Sequence, residues 1–182
     1  MSDGFPTEWV FDVGHSTFEF SVRHMKVSVV KGAFNTLDGG IEYNPGDWSA
    51  SRAWVEIDVA SIDTHSPGRD EHLRGERFFD VDRYPKASFE SSSIEAAGDD
   101  RFRVHGTLTV KDISKPVTFE VEFQGVQEQP DGNLRAAFNA FATIQRTDFG
   151  FPLGAELPGG GYVHSDDVQL AMYTSVRPKP IE

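Results

Sequence analysis

The strongest constraint on this chain is a two-residue rhythm of apolar and polar side chains that recurs from end to end. Phe18, Phe20 and Val22 alternate with Thr17, Glu19, Ser21 and Arg23. Ala53, Val55, Ile57 and Val59 alternate with Arg52, Trp54, Glu56 and Asp58. Phe102, Val104, Leu108 and Val110 do the same, as do Val117 to Phe123 and Val168 to Val176. Weaker stretches lie at 9–13, 33–43, 87–95 and 135–144. Successive side chains of a strand point to opposite faces, so this period marks strands with one buried face. On that reading Met25, Val27 and Val29 extend the first strand's apolar face. Turn signals separate the runs: Asn44-Pro45-Gly46-Asp47, Gly98-Asp99-Asp100, Lys111-Asp112, Pro130-Asp131-Gly132-Asn133 and Pro158-Gly159-Gly160-Gly161.

About eight such strands in 182 residues predict one all-β domain over 1–182 with an antiparallel sheet. A single sheet must hide its apolar face, and closure into a barrel does so while removing both edges. A two-sheet sandwich is the rival. Strands of roughly nine residues span about 30 Å, so a barrel would be elongated. One segment breaks the rhythm: 67–75 reads as a short helix, with Ser66 as N-cap, Pro67 first, Gly75 last, and Asp70 four residues from Arg74 for an ion pair.

Composition enters where the interior is concerned. Fifteen Phe stand against four Tyr and three Trp. Phe has no polar handle and needs a dry place. Interdigitated rings would fill a solid core. Alternatively, small inward residues (Ala53, Gly106, Ala136, Ala140, Ala142) leave room on the axis for a linear apolar molecule. Twenty buried carbons at about 0.8 kcal/mol each would give ~16 kcal/mol gross, of which about 6 kcal/mol survives the costs of association. Lining candidates are Phe18, Phe20, Phe34, Val55, Ile57, Phe79, Phe89, Val104, Phe119 and Phe138.

The net charge of −12 disfavours nucleic acid as a partner. Absence of cysteine excludes disulfides and thiol chemistry. No histidine pair has the spacing of a metal motif, so no metal and no cofactor is expected. No nucleophile elbow or phosphate loop stands out, so no catalytic residue is assigned. The start MSDGFPTEWVFDVGH lacks a basic start and an apolar stretch, and no run reaches transmembrane length; a cytoplasmic protein without an integral membrane segment is the expectation. Against an acidic background, Arg23, His24, Arg69, His72 and Arg74 form the basic set that a barrel mouth would use to hold a polar or anionic head. Pairing with Asp63 or Asp70 is the structural alternative.

An ordered set of motifs resembles the YceI-like, polyisoprenoid-binding family over about residues 9–177. It comprises Phe11-Asp12, His15-Ser16, Phe18 and Val22-Arg23-His24; Gly32, Phe34 and Gly39-Gly40; Ile62-Asp63-Thr64 with RDEHLRGERFFDVDRYP (69–85) and Phe89-Glu90-Ser91; GTLTVKDISKPVTFEV (106–121); Arg146-Thr147-Asp148-Phe149-Gly150; and Asp167-Val168-Gln169-Leu170. The resemblance implies a lipocalin-like barrel, a bound isoprenoid, prenyl quinone or fatty chain, and a homodimer. A carrier without catalysis follows, with an enzyme on an isoprenoid substrate or a ligand-free structural or stress protein as alternatives. Gly75 stands where relatives commonly have Ser.

Overall fold

The computed structural model describes residues 5–130 and 132–180. Asp131 of the fourth turn signal and the first four residues of the N-terminal segment lie outside them. Eleven strands follow the alternation: β1 (Glu8–Phe11), β2 (Thr17–His24), β3 (Ser28–Phe34), β4 (Leu37–Glu42), β5 (Arg52–Asp58), β6 (Ile62–Asp63), β7 (Lys86–Gly98), β8 (Arg101–Val110), β9 (Ile113–Glu128), β10 (Leu134–Gln145) and β11 (His164–Pro178). One helix, α1 (Pro67–Arg74), separates β6 from β7.

The strand order is β1-β4-β5-β7-β8-β9-β10-β11-β2-β3-β6, and β1 also pairs with β11. Every named pairing is antiparallel. β11 is long enough to hold β2 along Gln169–Tyr173 and β1 along Val176–Pro178. β1 and β2 therefore share one line of the wall, β3 and β4 the next, and β5 and β6 the third. With β7 to β11 these give a closed eight-stranded barrel. Closure, not a sandwich, hides the apolar face. β7 to β11 run 10–16 residues, or about 33–53 Å at 3.3 Å each, which makes the barrel elongated.

Register fixes what points inward. Phe18 faces Phe34, Phe20 faces Gly32, and Val22 faces Val30 across β2 and β3. Gly32 is required by close approach: a Cβ there would overlap the Phe20 ring and the Thr64 methyl group. Gly106 likewise lies under the Phe89 ring and against the Glu90 carbonyl. Its missing side chain seats a ring and leaves no free volume on the axis, unlike Ala53 and Ala140, which do border a cavity.

Two local expectations are corrected. Met25 and Lys26 adopt left-handed backbone (φ 49° and 65°) and reverse the chain into β3. Val29 then pairs with Arg23 on the outward face, and Val27 is 85% exposed. A short reversal after His24 leaves no sequence break for the alternation to reveal. In α1, Asp70 does not pair with Arg74. Its buried carboxylate accepts the Thr64 N–H (2.9 Å) and hydroxyl (2.5 Å), because those donors would otherwise be buried unpaired. Ser66 occupies the N-cap position without a side-chain cap bond, and Pro67 opens the helix. Gly75 ends it in extended backbone (φ −65°), its N–H donating to the His72 carbonyl.

A channel with a closed end and a basic mouth

Two cavities lie on the barrel axis and meet at Phe18, which borders both. The far one has about 100 Å³ open to the centre of a water molecule and is bordered by Phe11, Val55, Phe89, Val104, Phe119 and Phe138 among others. Thr174 is the one non-aromatic polar residue on it. The near one, of about 130 Å³, is bordered by Phe20, Phe34, Ile57, Phe79, Leu108 and Leu170, and by one ionisable side chain, Arg146. All ten residues named as lining candidates therefore border the channel. By this measure a single water needs roughly 10–15 Å³ and several polar partners. Each cavity has the room for several waters but not the partners, and a void in such a core destabilises it.

The far end is sealed by rings. Trp48 packs tilted against Tyr43 (centroids 4.8 Å apart) and Phe102 (4.7 Å), and edge-on to Phe138 (6.4 Å). The short turn Trp48–Ala50 that carries it is held by Asp47, which accepts from the Ser49 N–H. Nearby, the buried Ser16 hydroxyl donates to the Asp12 carbonyl (2.9 Å), and Arg135, whose Nη1 makes no hydrogen bond among the described residues, is charge-paired 3.1 Å from the Asp12 carboxylate.

The near end opens into a basin of about 560 Å³ bordered by His24, Val30, Thr64, Arg69, His72, Arg146 and His164. β2 supplies His24, the inward parity of Phe18, Phe20 and Val22 carried to the strand's end. β11 supplies His164, paired with His24 ahead of a register shift, with ring centroids 5.4 Å apart. α1 supplies Arg69 and His72 on the rim, the latter edge-on to Phe78 at 4.7 Å. Arg146 sits deepest and borders both the basin and the near cavity. β9 and β10 stay paired only as far as Phe141. Beyond Gln145 the chain tucks in as a tight turn, Arg146–Phe149, that ends on left-handed Gly150 (φ 73°) and buries Arg146 and Phe149.

Of the five basic residues read from the sequence, His24, Arg69 and His72 come together at this mouth. Arg23 and Arg74 do not. Arg23 lies on the exposed face opposite Val29. Arg74 braces the helix, donating to the Ala60 and Ile62 carbonyls at 2.8 Å each. Arg69 also braces: it donates to the Thr64 hydroxyl and carbonyl at 2.7 Å. Pairing with Asp63 or Asp70 is not what these arginines do.

The sequence reading missed Arg146 and His164. A signal existed for Arg146: the inward parity of Ala140, Ala142 and Ile144 continues onto it. Burial holds the Arg146 guanidinium below its ordinary pKa, against the pull of Asp166. Burial also pushes the His164 imidazole below its ordinary value, and Arg146 and His24 add to that. Among the described residues, Nε of Arg146 and Nδ1 of His164 have no hydrogen-bond partner.

Among the described residues, no helix is long and apolar enough to cross a membrane. A family model for the YceI-like domain matches residues 9–176. The UPF0312 protein SA2479 of Staphylococcus aureus (strain N315) is 36% identical over 165 residues, 90% of this chain and 94% of that protein. The crystal structure of BcnA from Burkholderia cenocepacia superposes with a TM-score of 0.78 at 26% identity, covering 91% of this chain and 98% of that one. A polyisoprenoid binding domain from Saccharophagus degradans shares the fold, with a TM-score of 0.73 at 18% identity over 96% of this chain and 100% of that one. Barrel topology, the ordered motifs and a family match along nearly the whole barrel agree: the chain belongs to the YceI-like family.

Proposed function

We propose that this protein is a non-catalytic carrier that holds one long apolar chain, of the isoprenoid class, along its barrel axis with the head at the basic mouth. The observation that carries this reading is the pair of apolar cavities in line, sealed by Trp48 at one end and opening onto His24, Arg69, His72, Arg146 and His164 at the other. A linear tail fits a narrow apolar channel and removes the cost of leaving it empty. The polyisoprenoid-binding description of the Saccharophagus degradans domain supports the ligand class. Absence of catalysis is supported by the channel's chemistry: its one ionisable residue is a guanidinium, which serves neither as general base nor as nucleophile. Twenty tail atoms retaining roughly 0.3 kcal/mol each give about 6 kcal/mol, or tens of micromolar.

Native mass spectrometry of gently purified protein, with organic extraction of the same sample, tests the reading. A prenyl or other long-chain species released on denaturation is expected. A clean apo mass from several expression hosts, together with no binding of added geranylgeraniol or geranylgeranyl phosphate, would sink it.

A further inference from the structure

Arg146 is 8% exposed, and among the described residues its side chain makes no ion pair and its Nε no hydrogen bond. Buried charges in folded proteins are paired, because desolvating an unpaired ion costs several kcal/mol. The nearest source of negative potential, Asp166, is otherwise engaged: its carboxylate accepts the Thr147 N–H at 2.9 Å and the Thr147 hydroxyl at 2.8 and 2.9 Å. The remaining neighbours make matters worse. His164 and His24 come from the two strands that flank the basin, and Arg69 and His72 from the helix above it. Arg69 is held by Thr64 through its Nε and Nη2. His164 adds a second buried polar atom without a partner, Nδ1, within the same basin. In a chain of net charge −12, a buried guanidinium that makes no direct ion pair, feels only the more distant Asp166 carboxylate, and has imidazoles around it is an arrangement that an anionic ligand would complete.

We infer that Arg146, with His164 and His24 beside it, forms an oxyanion site at the neck between basin and channel, so that the barrel takes tails capped by an anionic head, phosphate or carboxylate, over the same tails capped by a neutral group. The position decides the geometry. Arg146 borders the near cavity as well as the basin, so an anion bound there sits at the point where a tail enters the apolar bore. A guanidinium presents a planar fork of donors that matches an oxyanion with two oxygens, and the imidazoles supply further donors from another side. The anion serves as the counter-ion that the fold withholds. A neutral alcohol or quinone head satisfies the hydrogen bonds only in part and leaves the charge buried.

This inference rests on the carrier reading but fails separately from it. The test is calorimetric titration of the whole protein with geranylgeranyl phosphate, geranylgeraniol and inorganic phosphate, for the wild type and for Arg146→Gln. The expected result is that wild type binds the prenyl phosphate at least tenfold more tightly than the alcohol, that added salt narrows the difference, and that Arg146→Gln abolishes it. Stabilisation by inorganic phosphate alone, with neither prenyl compound bound, would keep the oxyanion site and remove the tail. Equal affinity for phosphate and alcohol in the wild type overturns the inference and leaves the carrier reading standing. That comparison holds even if Arg146→Gln fails to fold. A folded Arg146→Gln, checked by its melting curve, that retains the phosphate preference overturns it as well.

Discussion

The two ends of the barrel solve opposite problems with the same wall. At the Trp48 end, four rings close the bore, Ser16 donates to the Asp12 carbonyl, Trp9 donates to the Pro6 carbonyl at 2.8 Å, and Arg135, although its Nη1 makes no hydrogen bond among the described residues, is ion-paired with the Asp12 carboxylate. At the helix end the bore stays open, and Arg146 and His164 keep donors or acceptors unmatched. The closed end thus offsets its buried charge within the fold, whereas the open end leaves Arg146 without a direct ion pair among the described residues, the kind of buried polar group that calls for an explanation in a native protein. Arginine position sharpens the contrast. Arg69 and Arg74 lie at the open end too, yet both are consumed by backbone carbonyls, which makes them braces.

Four experiments break or sharpen that contrast. The largest effect is expected at the waist. Phe18 is 4% exposed and borders both cavities, so Phe18→Ala merges them and lowers unfolding free energy by about 3–5 kcal/mol in urea denaturation. A loss under 1 kcal/mol would mean that the two cavities are already one open bore. Next comes the brace of the open end: Asp70→Ala strands the Thr64 N–H and hydroxyl and costs ~2–3 kcal/mol. Hydrogen exchange should quicken in α1 and stay unchanged near Trp48. Spread of the effect to the closed end would contradict the independence of the two ends.

Filling the far cavity comes third. Ala53 borders only that cavity, so Ala53→Phe should weaken binding of a twenty-carbon prenyl chain about tenfold, roughly 1.4 kcal/mol, and spare a ten-carbon one. Equal losses for both would place the tail elsewhere. The smallest effect concerns pH. The folded state holds the His164 imidazole below its ordinary value of 6.5, so the unfolded chain takes up the proton first as pH falls. The His164 contribution to stability is therefore present above about 6.5 and is lost as pH drops from there toward the folded value. The melting temperature of wild type should fall relative to that of His164→Gln as pH drops through that range. Parallel curves would show that His164 titrates normally in the fold.

Much of this was legible without a structure, and the reason is geometric. A strand's parity is strictly two, so once Phe18, Val55, Phe89 and Phe119 are placed on one face, the wall between them follows. Nine of the ten proposed lining residues lie on strands and reach the channel for that reason; Phe79, in the segment between α1 and β7, reaches it without strand parity. Parity fails where the chain turns without announcing it. Met25 and Lys26 carry no Gly or Pro, yet their left-handed backbone reverses the strand and sends Val27 and Val29 outward. Charge misleads in another way. Arg23, Arg69, Arg74 and Arg146 are the same residue type in sequence, and composition cannot say which one water reaches.

Read residue by residue, the chain specified most of its strands, most of their inward face, the helix and the family. It did so because alternation, turn chemistry and motif order are local or one-dimensional properties of the chain. The tertiary structure alone decided that β1 and β2 share β11 and thereby close the barrel. It also decided that Trp48 seals one end, and that the turn after β10 folds inward to bury Arg146 without a counter-ion. Burial and pairing of a charge depend on groups distant in sequence, and these meet only when the barrel is closed.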